Sequence, residues 1–285
     1  LRGGMTPEVS DMLCEAVVCA KPIDRLPEGH ERLLQIVPVE SIDGIKRPDL
    51  WPLYKVGALL CASEIREPFV LEMEYGDLKG AIVERLKKDR DCVILLITRH
   101  LNGVAEHRAF FLAMQAMGLG HPVIIHRRYE DKGLTDLQIE ASADMGMLLL
   151  DGFGDAVSLS APAVGFASLV DLLFGILQAS RVRFSRTEYI SCPGCGRTLF
   201  DLQTTTLKVR QRTSHLKGLK IAVMGCIVNG IGEMADADYG YVGAGPGKVS
   251  LYRNRELVSR ALPEEEAVDR LVELIKESGD WVDAE

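Results

Sequence analysis

Between about residue 31 and residue 185, short apolar runs alternate with helical segments, and that alternation limits the chain to a few architectures. The runs at 33–37, 69–73, 92–98, 122–126, 156–159 and 181–184 mostly lack polar alternation, as strands covered on both faces do. Pro38 closes the first, because it has no N–H to give a sheet ladder. Segments 77–88, 106–117, 135–145 and 166–178 are predicted helices. In the last of them Leu169, Leu172, Leu173 and Ile176 recur at helical spacing and predict a core-facing stripe. Repeated βα units with right-handed crossovers imply a mostly parallel sheet. The expected fold is α/β: a TIM-like βα-repeat domain, complete or incomplete, over residues 1–185, then a small α/β domain over residues 186–285. An open doubly wound sheet is the competing layout for the first domain.

The boundary is drawn where the basic stretch Arg181-Val182-Arg183-Phe184-Ser185-Arg186 interrupts the pattern. Residues 187–191 then read as a short strand running into Cys192. A helix over about 199–212, a buried strand over 219–224, a Gly-rich loop and short strands around 239–242 and 248–252 follow. Pro263 suits the first turn of a last helix, and Glu264, Glu265 and Glu266 suit its positive end. Ala267, Leu271, Leu274 and Ile275 form its predicted buried stripe.

Seven cysteines are spread unevenly over 285 residues, which argues against a disulfide framework and for a reducing compartment. A net charge of −8 argues against a general nucleic-acid binder, which needs basic excess to displace phosphate counterions. No apolar run approaches the roughly 20 residues of a membrane span. The opening Leu1-Arg2-Gly3-Gly4, with the first methionine at position 5, reads as the interior of a larger polypeptide.

Cys192-Pro193-Gly194-Cys195 sets two thiols at the end of a predicted strand, with Pro and Gly allowing a tight turn between them. Cys226 ends another buried strand, so in a parallel sheet the three thiols can meet at one edge. From spacing alone, iron–sulfur and zinc are equally good readings. No fourth cysteine lies nearby, but Glu233 follows Cys226 by seven residues, in a loop bent by Gly230 and Gly232. A carboxylate is held by iron more weakly than a thiolate, so three thiols and one carboxylate suit a cluster that does chemistry at an exchangeable corner.

Two stretches carry a family resemblance. Cys-Pro-Gly-Cys-Gly-Arg-Thr-Leu-Phe-Asp (192–201) and Gly-Cys-Ile-Val-Asn-Gly-Ile-Gly-Glu-Met-Ala-Asp-Ala-Asp-Tyr-Gly-Tyr-Val-Gly (225–243) closely resemble 4-hydroxy-3-methylbut-2-enyl diphosphate synthases. Leu149-Leu150-Asp151-Gly152-Phe153-Gly154-Asp155 extends the likeness into the first domain, which resembles the extra TIM-like insert of the plant-type, three-domain form. The resemblance implies a [4Fe–4S] cluster on Cys192, Cys195, Cys226 and Glu233, with Asn229 contacting substrate. It also implies reductive opening of a cyclic diphosphate, methylerythritol cyclodiphosphate, in isoprenoid biosynthesis. Ferredoxin or flavodoxin would donate the electrons, in the cytoplasm of a bacterium or the plastid stroma of a plant or alga. The N-terminal catalytic TIM barrel of the family is absent from these 285 residues, so the chain is expected to be inactive unless that barrel is supplied in cis or in trans. Ile231 stands where the family motif has proline.

Plainer readings stand beside these. A structural zinc site on the three cysteines with His215 would make the chain a non-catalytic module, and a stand-alone redox protein is a third possibility. Glu233 could cap a helix, and Asn229 could be a turn residue before Gly230. The basic run Lys208, Arg210, Arg212, His215, Lys217 and Lys220 reads first as a solvated helix face, and only second as a steering surface for anions. His126-Arg127-Arg128, and Arg99, His100 and Asn102, follow predicted strands and read first as surface charge. Cys14, Cys19, Cys61 and Cys92 read as small buried residues.

Overall fold

The structure is a computed structural model and describes residues 13–26, 30, 32–42, 44–89 and 91–283. It divides into two units between Arg183 and Phe184.

In the first unit seven strands lie side by side in chain order: β1 (Ala16–Val18), β2 (Leu34–Pro38), β3 (Leu50–Lys55), β4 (Phe69–Met73), β5 (Cys92–Leu96), β6 (Val123–Arg128) and β7 (Ala156–Ser160). Every neighbouring pair is parallel. The order never reverses, whereas a doubly wound sheet must reverse at its switch point. Crossovers of one hand, always stepping the same way, place the helices on one face and curl the sheet. The sheet is therefore an incomplete TIM-like barrel.

Five helices make up the outer layer: α1 (Val56–Cys61), α2 (Ala81–Lys88), α3 (Gly103–Ala116), α4 (Leu134–Leu150) and α5 (Phe166–Ala179). Phe69, Leu71, Ile94 and Leu96 of the sheet pack with Leu59, Ile82, Leu86 and Phe110 of the helices. Ile36, Leu53, Val70 and Leu95 point to the other face and form their own cluster. Strands loaded with apolar side chains on both faces explain the missing polar alternation in the sequence. The predicted stripe of α5 holds, with Leu172 and Ile176 buried and Leu169 and Leu173 packed against the same core.

Segment 181–184 is not a strand. Arg181 takes a left-handed φ of 59°, and Val182 N–H returns to Leu177 O while Arg181 N–H returns to Gln178 O. That pair of bonds is a C-terminal cap of α5, which uses the carbonyls that helix would otherwise leave open.

The polar member of this layer is His107, fully buried on α3. Burial and the nearby Arg127 hold its pKa down at about 4, against 6.5 for a free imidazole. A depressed folded pKa means that the unfolded chain takes up a proton first. Stability is therefore complete above about pH 6.5, falls as pH drops towards about 4, and loses nothing more from this group below that. The full loss is on the order of 3 kcal/mol. Trp51 lies in the first unit and Trp281 in the second, so Trp281→Phe leaves Trp51 as the reporter. Urea midpoints read from Trp51 should fall between pH 7.5 and pH 5, and His107→Gln should remove part of that fall. An equal fall in both proteins would clear His107.

The second unit is a five-stranded sheet in the order β12-β11-β10-β9-β8. β8 (Glu188–Ser191), β9 (Lys220–Met224) and β10 (Tyr239–Gly245) are parallel, and β11 (Lys248–Arg253) and β12 (Glu256–Pro263) add antiparallel. α6 (Leu202–Thr213) and α8 (Glu264–Glu277) cover one face, where Val209, Ala267, Leu271, Leu274 and Ile275 bury against Ile221, Val223, Tyr239 and Tyr241. The predicted stripe of the last helix is thus its buried face. Pro263 is the N-cap of α8, and the three glutamates occupy its first turn. The predicted Gly-rich loop after Cys226 is instead a short helix, α7 (Ile227–Glu233).

Candidate metal centre

β8 and β9 are parallel neighbours with Ser191 opposite Val223, so the segments that follow them leave the sheet at the same edge. Cys192 begins one segment, and Gly225-Cys226 the other. The Gly225 N–H donates to the Cys192 sulfur at 3.3 Å, which ties the first cysteine to the backbone beside the third. Cys192 and Cys226 are half-buried, and Cys195 is exposed.

The turn that carries Cys195 is closed twice. Thr198 N–H donates to Cys195 O at 2.9 Å, and Cys195 N–H donates to Thr198 Oγ1 at 3.0 Å. Thr198 packs against Gly225, where an added Cβ would lie 2.8 Å from its methyl group. Leu199 N–H donates to Gly225 O at 3.0 Å. Asp201 then caps α6 by accepting from Thr204 N–H, so the turn is anchored at both ends.

Cys226 is the N-cap residue of α7, and its side chain makes no capping bond. Glu233 is the last residue of α7, two helical turns on and on the same face. Gly230 is a packing residue rather than a bend: an added Cβ would lie 3.1 Å from Met224 and 3.2 Å from Val242. Asn229 lies on α7, and its side chain is outside the described residues. Ile231 is exposed beside Ile227 and Val228, giving α7 an apolar outer edge.

Electrostatics relate three of these residues, Cys195, Cys226 and Glu233, to one that the sequence reading passed over, Arg197. The Arg197 backbone N–H and guanidinium beside it hold the Cys195 thiol below the ordinary range. The same guanidinium is in turn favoured by Cys195, Cys226 and Glu233. Its signal in the sequence was plain enough, a cation two residues after a candidate ligand. By contrast, burial pushes the thiols of Cys14 and Cys92 up to about 11 and about 12, which leaves them poor ligands. Cys19 is buried too, and Cys61, expected to be buried, is exposed on α1.

The donor set fits an iron–sulfur cluster. Three thiols and a carboxylate are donors such a cluster takes; Cys192 and Cys226 follow neighbouring strands at one sheet edge, and a backbone N–H is directed at the Cys192 sulfur. Among the described residues, no three His, Cys, Asp or Glu side chains crowd closely enough to hold one metal ion. His215 stands apart. It lies in the turn after α6, its ring 5.0 Å from that of Trp281. Thr187, just before β8, donates to Thr213 O and Leu216 O on either side of it. That is the N-terminal edge of the sheet, about 17 Å of strand away from the cysteines.

The remaining basic candidates have structural partners. Arg127 pairs with Asp144 at 2.6 Å, Arg128 with Glu130 at 2.5 Å and Arg99 with Glu74 at 3.0 Å. Asn102 caps α3, with the His100 ring nitrogen accepting its N–H, and His126 meets Ser158 at 2.9 Å. In the basic run, Arg212 pairs with Asp269, Arg210 lies over Tyr189 and Lys220 lies over Phe184. No helix among the described residues is long and apolar enough to cross a membrane.

Residues 188–277 match the GcpE protein C-terminal domain, an interval that holds all four candidate ligands. Most of the second unit is thus similar to a GcpE C-terminal domain. The likeness extends through the first unit as well. The 4-hydroxy-3-methylbut-2-en-1-yl diphosphate synthase (flavodoxin) of Parabacteroides distasonis is 54% identical over 263 residues, covering 91% of this chain and 42% of that protein. The synthase of the same name from Bacteroides fragilis strain ATCC 25285 is 50% identical over 261 residues, covering 90% of this chain and 41% of that protein. The chloroplastic, ferredoxin-type synthase of Oryza sativa subsp. japonica is 51% identical over 177 residues, 62% of this chain and 24% of that protein. The chain thus spans about two fifths of the length of these two bacterial relatives.

Proposed function

We propose that the chain is the C-terminal part of a synthase that reductively converts 2-C-methyl-D-erythritol 2,4-cyclodiphosphate to 4-hydroxy-3-methylbut-2-enyl diphosphate. Its share of the work is a [4Fe–4S] cluster held by Cys192, Cys195, Cys226 and Glu233. The observation that supports this reading is that the segments carrying Cys192 and Cys226 leave one sheet edge, tied by the Gly225 N–H to the Cys192 sulfur, within the stretch that resembles a GcpE C-terminal domain. When bound, the cluster supplies two electrons in single steps. With two protons they open the ring and release the C3 oxygen as water.

The residues of this chain then have distinct tasks. The anchored Cys195 turn and the Gly225 N–H would hold the thiols in place. Glu233, at the free end of α7, is the one oxygen donor and the exchangeable one. Asn229 would reach substrate from the preceding turn of the same helix. The exposed apolar edge of α7 is suited to exclude water once the substrate-binding barrel covers it. That barrel would come from the other three fifths of a full-length synthase, and flavodoxin or ferredoxin would deliver the electrons. The first unit would be the insert of the three-domain form, and the compartment cytoplasm or plastid stroma.

The test is anaerobic reconstitution with iron and sulfide. About four of each per chain and a broad visible absorption support the reading. One zinc and no colour would overturn it, since zinc has a filled d shell. Reconstituted chain mixed with a separate N-terminal barrel and reduced flavodoxin should turn over the cyclic diphosphate, and neither part alone should do so.

A further inference from the structure

The edge of the second sheet opposite the cysteines, where β9 and β10 begin, holds a cavity of about 390 Å³, within the range of small-molecule sites. Its walls are the Gly218 turn before β9, Asp238 and Tyr239 at the start of β10, Arg253 and Asn254 at the β11–β12 turn, and Asp280 after α8. The fold fixes these walls from behind. Asp238 N–H donates to Lys220 O at 2.9 Å, Asp238 O accepts from Asn254 N–H at 2.9 Å, and Asp238 Oδ2 accepts from Lys220 N–H at 2.8 Å. Tyr239 OH donates to Asp280 Oδ2 at 2.5 Å, and Asp280 N–H donates to Ile275 O at 3.2 Å.

The groups left over are charged or strongly polar. Among the described residues, the second oxygens of Asp238 and Asp280 and the side-chain amide of Asn254 have no hydrogen-bond partner. The Arg253 guanidinium lies 4.0 Å from Asp280 Oδ2, beyond hydrogen-bonding reach, and both side chains of that pair are partly exposed. A loose pair of this kind contributes little, so a ligand that displaces it gives up little. Most small-molecule sites are apolar with a few polar groups, whereas this lining is mainly polar and suits only a charged ligand. A simple anion would meet two carboxylates, and a simple amine would leave the guanidinium unmatched. A molecule with an ammonium and a carboxylate on one carbon answers both signs, and a guanidinium can grip that carboxylate through two parallel bonds. The two aspartates outnumber the one arginine, so a second ammonium on the ligand balances the site.

We propose that this cavity binds a free basic α-amino acid, its carboxylate on Arg253 and its two ammonium groups on Asp238 and Asp280. The site needs no cluster and lies on the other edge of the sheet, so it stands or falls apart from the reading above.

The experiment is an amide NMR titration of the chain with L-lysine, run beside L-lysinamide, which lacks the carboxylate, and Nα-acetyl-L-lysine, which lacks the α-ammonium. L-lysine should shift the amides of Gly218, Asp238, Asn254 and Asp280 saturably, with a Kd of about 1 mM or tighter, and each analogue should bind about tenfold more weakly or worse. Arg253→Gln should bind L-lysine no better than L-lysinamide, and the fold should tolerate it because that guanidinium makes no hydrogen bond among the described residues. Asp280→Asn, whose amide oxygen can still accept from Tyr239 OH, should weaken L-lysine as well. A plain acidic patch gives the reverse order, because L-lysinamide carries the larger positive charge. Tighter or equal binding of L-lysinamide by the wild type overturns the proposal. So does undiminished L-lysine binding by Arg253→Gln, or the absence of any saturable shift at tens of millimolar L-lysine.

Discussion

Replacing Cys226 by alanine is expected to abolish cluster binding, with the visible band gone and iron and sulfide reduced to background. Of the three thiols, Cys226 is the one whose loss no neighbour can make good. It is the N-cap of α7, with Glu233 at the far end of the same short helix, so it fixes where the carboxylate starts its reach. It follows Gly225, whose N–H holds the Cys192 sulfur at 3.3 Å and whose carbonyl receives the Cys195 turn through Leu199. Removing the sulfur leaves two thiols and a carboxylate with no strong ligand between them. The fold should not pay heavily, because the Cys226 side chain is half-buried and makes no cap bond, so alanine opens no sealed cavity. The decisive pattern is a lost cluster with an unchanged far-ultraviolet spectrum and an unchanged urea midpoint at Trp281. Cys61→Ala, at an exposed position of α1, should keep the full iron content. If Cys226→Ala retains four irons, the assignment of ligands is wrong.

The sequence made some of this architecture readable and hid the rest for identifiable reasons. The apolar runs of β4 and β5 were found because both of their faces are mostly buried, so Glu72 is the one polar side chain that interrupts them. β3 was missed because Pro52 sits inside it. Odd-numbered residues of β3 bond towards β2, as Gln35 N–H does to Asp49 O, which turns Pro52 towards β4. β4 joins only at Leu53, so the missing N–H costs no ladder bond. β12 was missed because it is a sheet edge, exposed almost throughout, with register shifts and Ala261 at a φ of 52°; nothing there imposes alternation. α7 was taken for a loop because Gly230 and Gly232 are poor helix formers. Tertiary contact outweighs that local preference, since only a glycine at 230 lets the helix lie against Met224 and Val242. At the centre itself, the cysteine pattern named the candidate ligands, because thiol spacing is a local property. Thr198 escaped notice because its packing is set by Gly225, a residue far along the chain.

Gly243→Ala should disable the centre from the opposite side, through backbone rather than ligand. Gly243 lies on β10 just beyond the pairing of Val242 with Met224, and an added Cβ would overlap the Gly225 carbonyl oxygen and lie 3.0 Å from its carbon. The ring of Phe200 closes the space at 3.2 Å, so the methyl group has no way out except to push β9 and β10 apart. Overpacking of this kind costs about 1–3 kcal/mol, and here the yielding atom belongs to a peptide rather than to a flexible side chain. The carbonyl that must move is the one that accepts from Leu199, and it belongs to the same residue whose N–H donates to Cys192. A shift there separates the Cys192 and Cys195 segment from Cys226 even though every ligand is present. The expected result is a lower urea midpoint at Trp281 together with a loss of most bound iron, while Trp51 still reports a stable first unit. Gly245→Ala, two residues on with nothing within 4 Å of an added Cβ, should bind iron as the wild type does. Full iron content in Gly243→Ala would mean that the Gly225 peptide is free to move without disturbing the sulfurs, and that the close approach of β10 is not what sets the geometry of the centre.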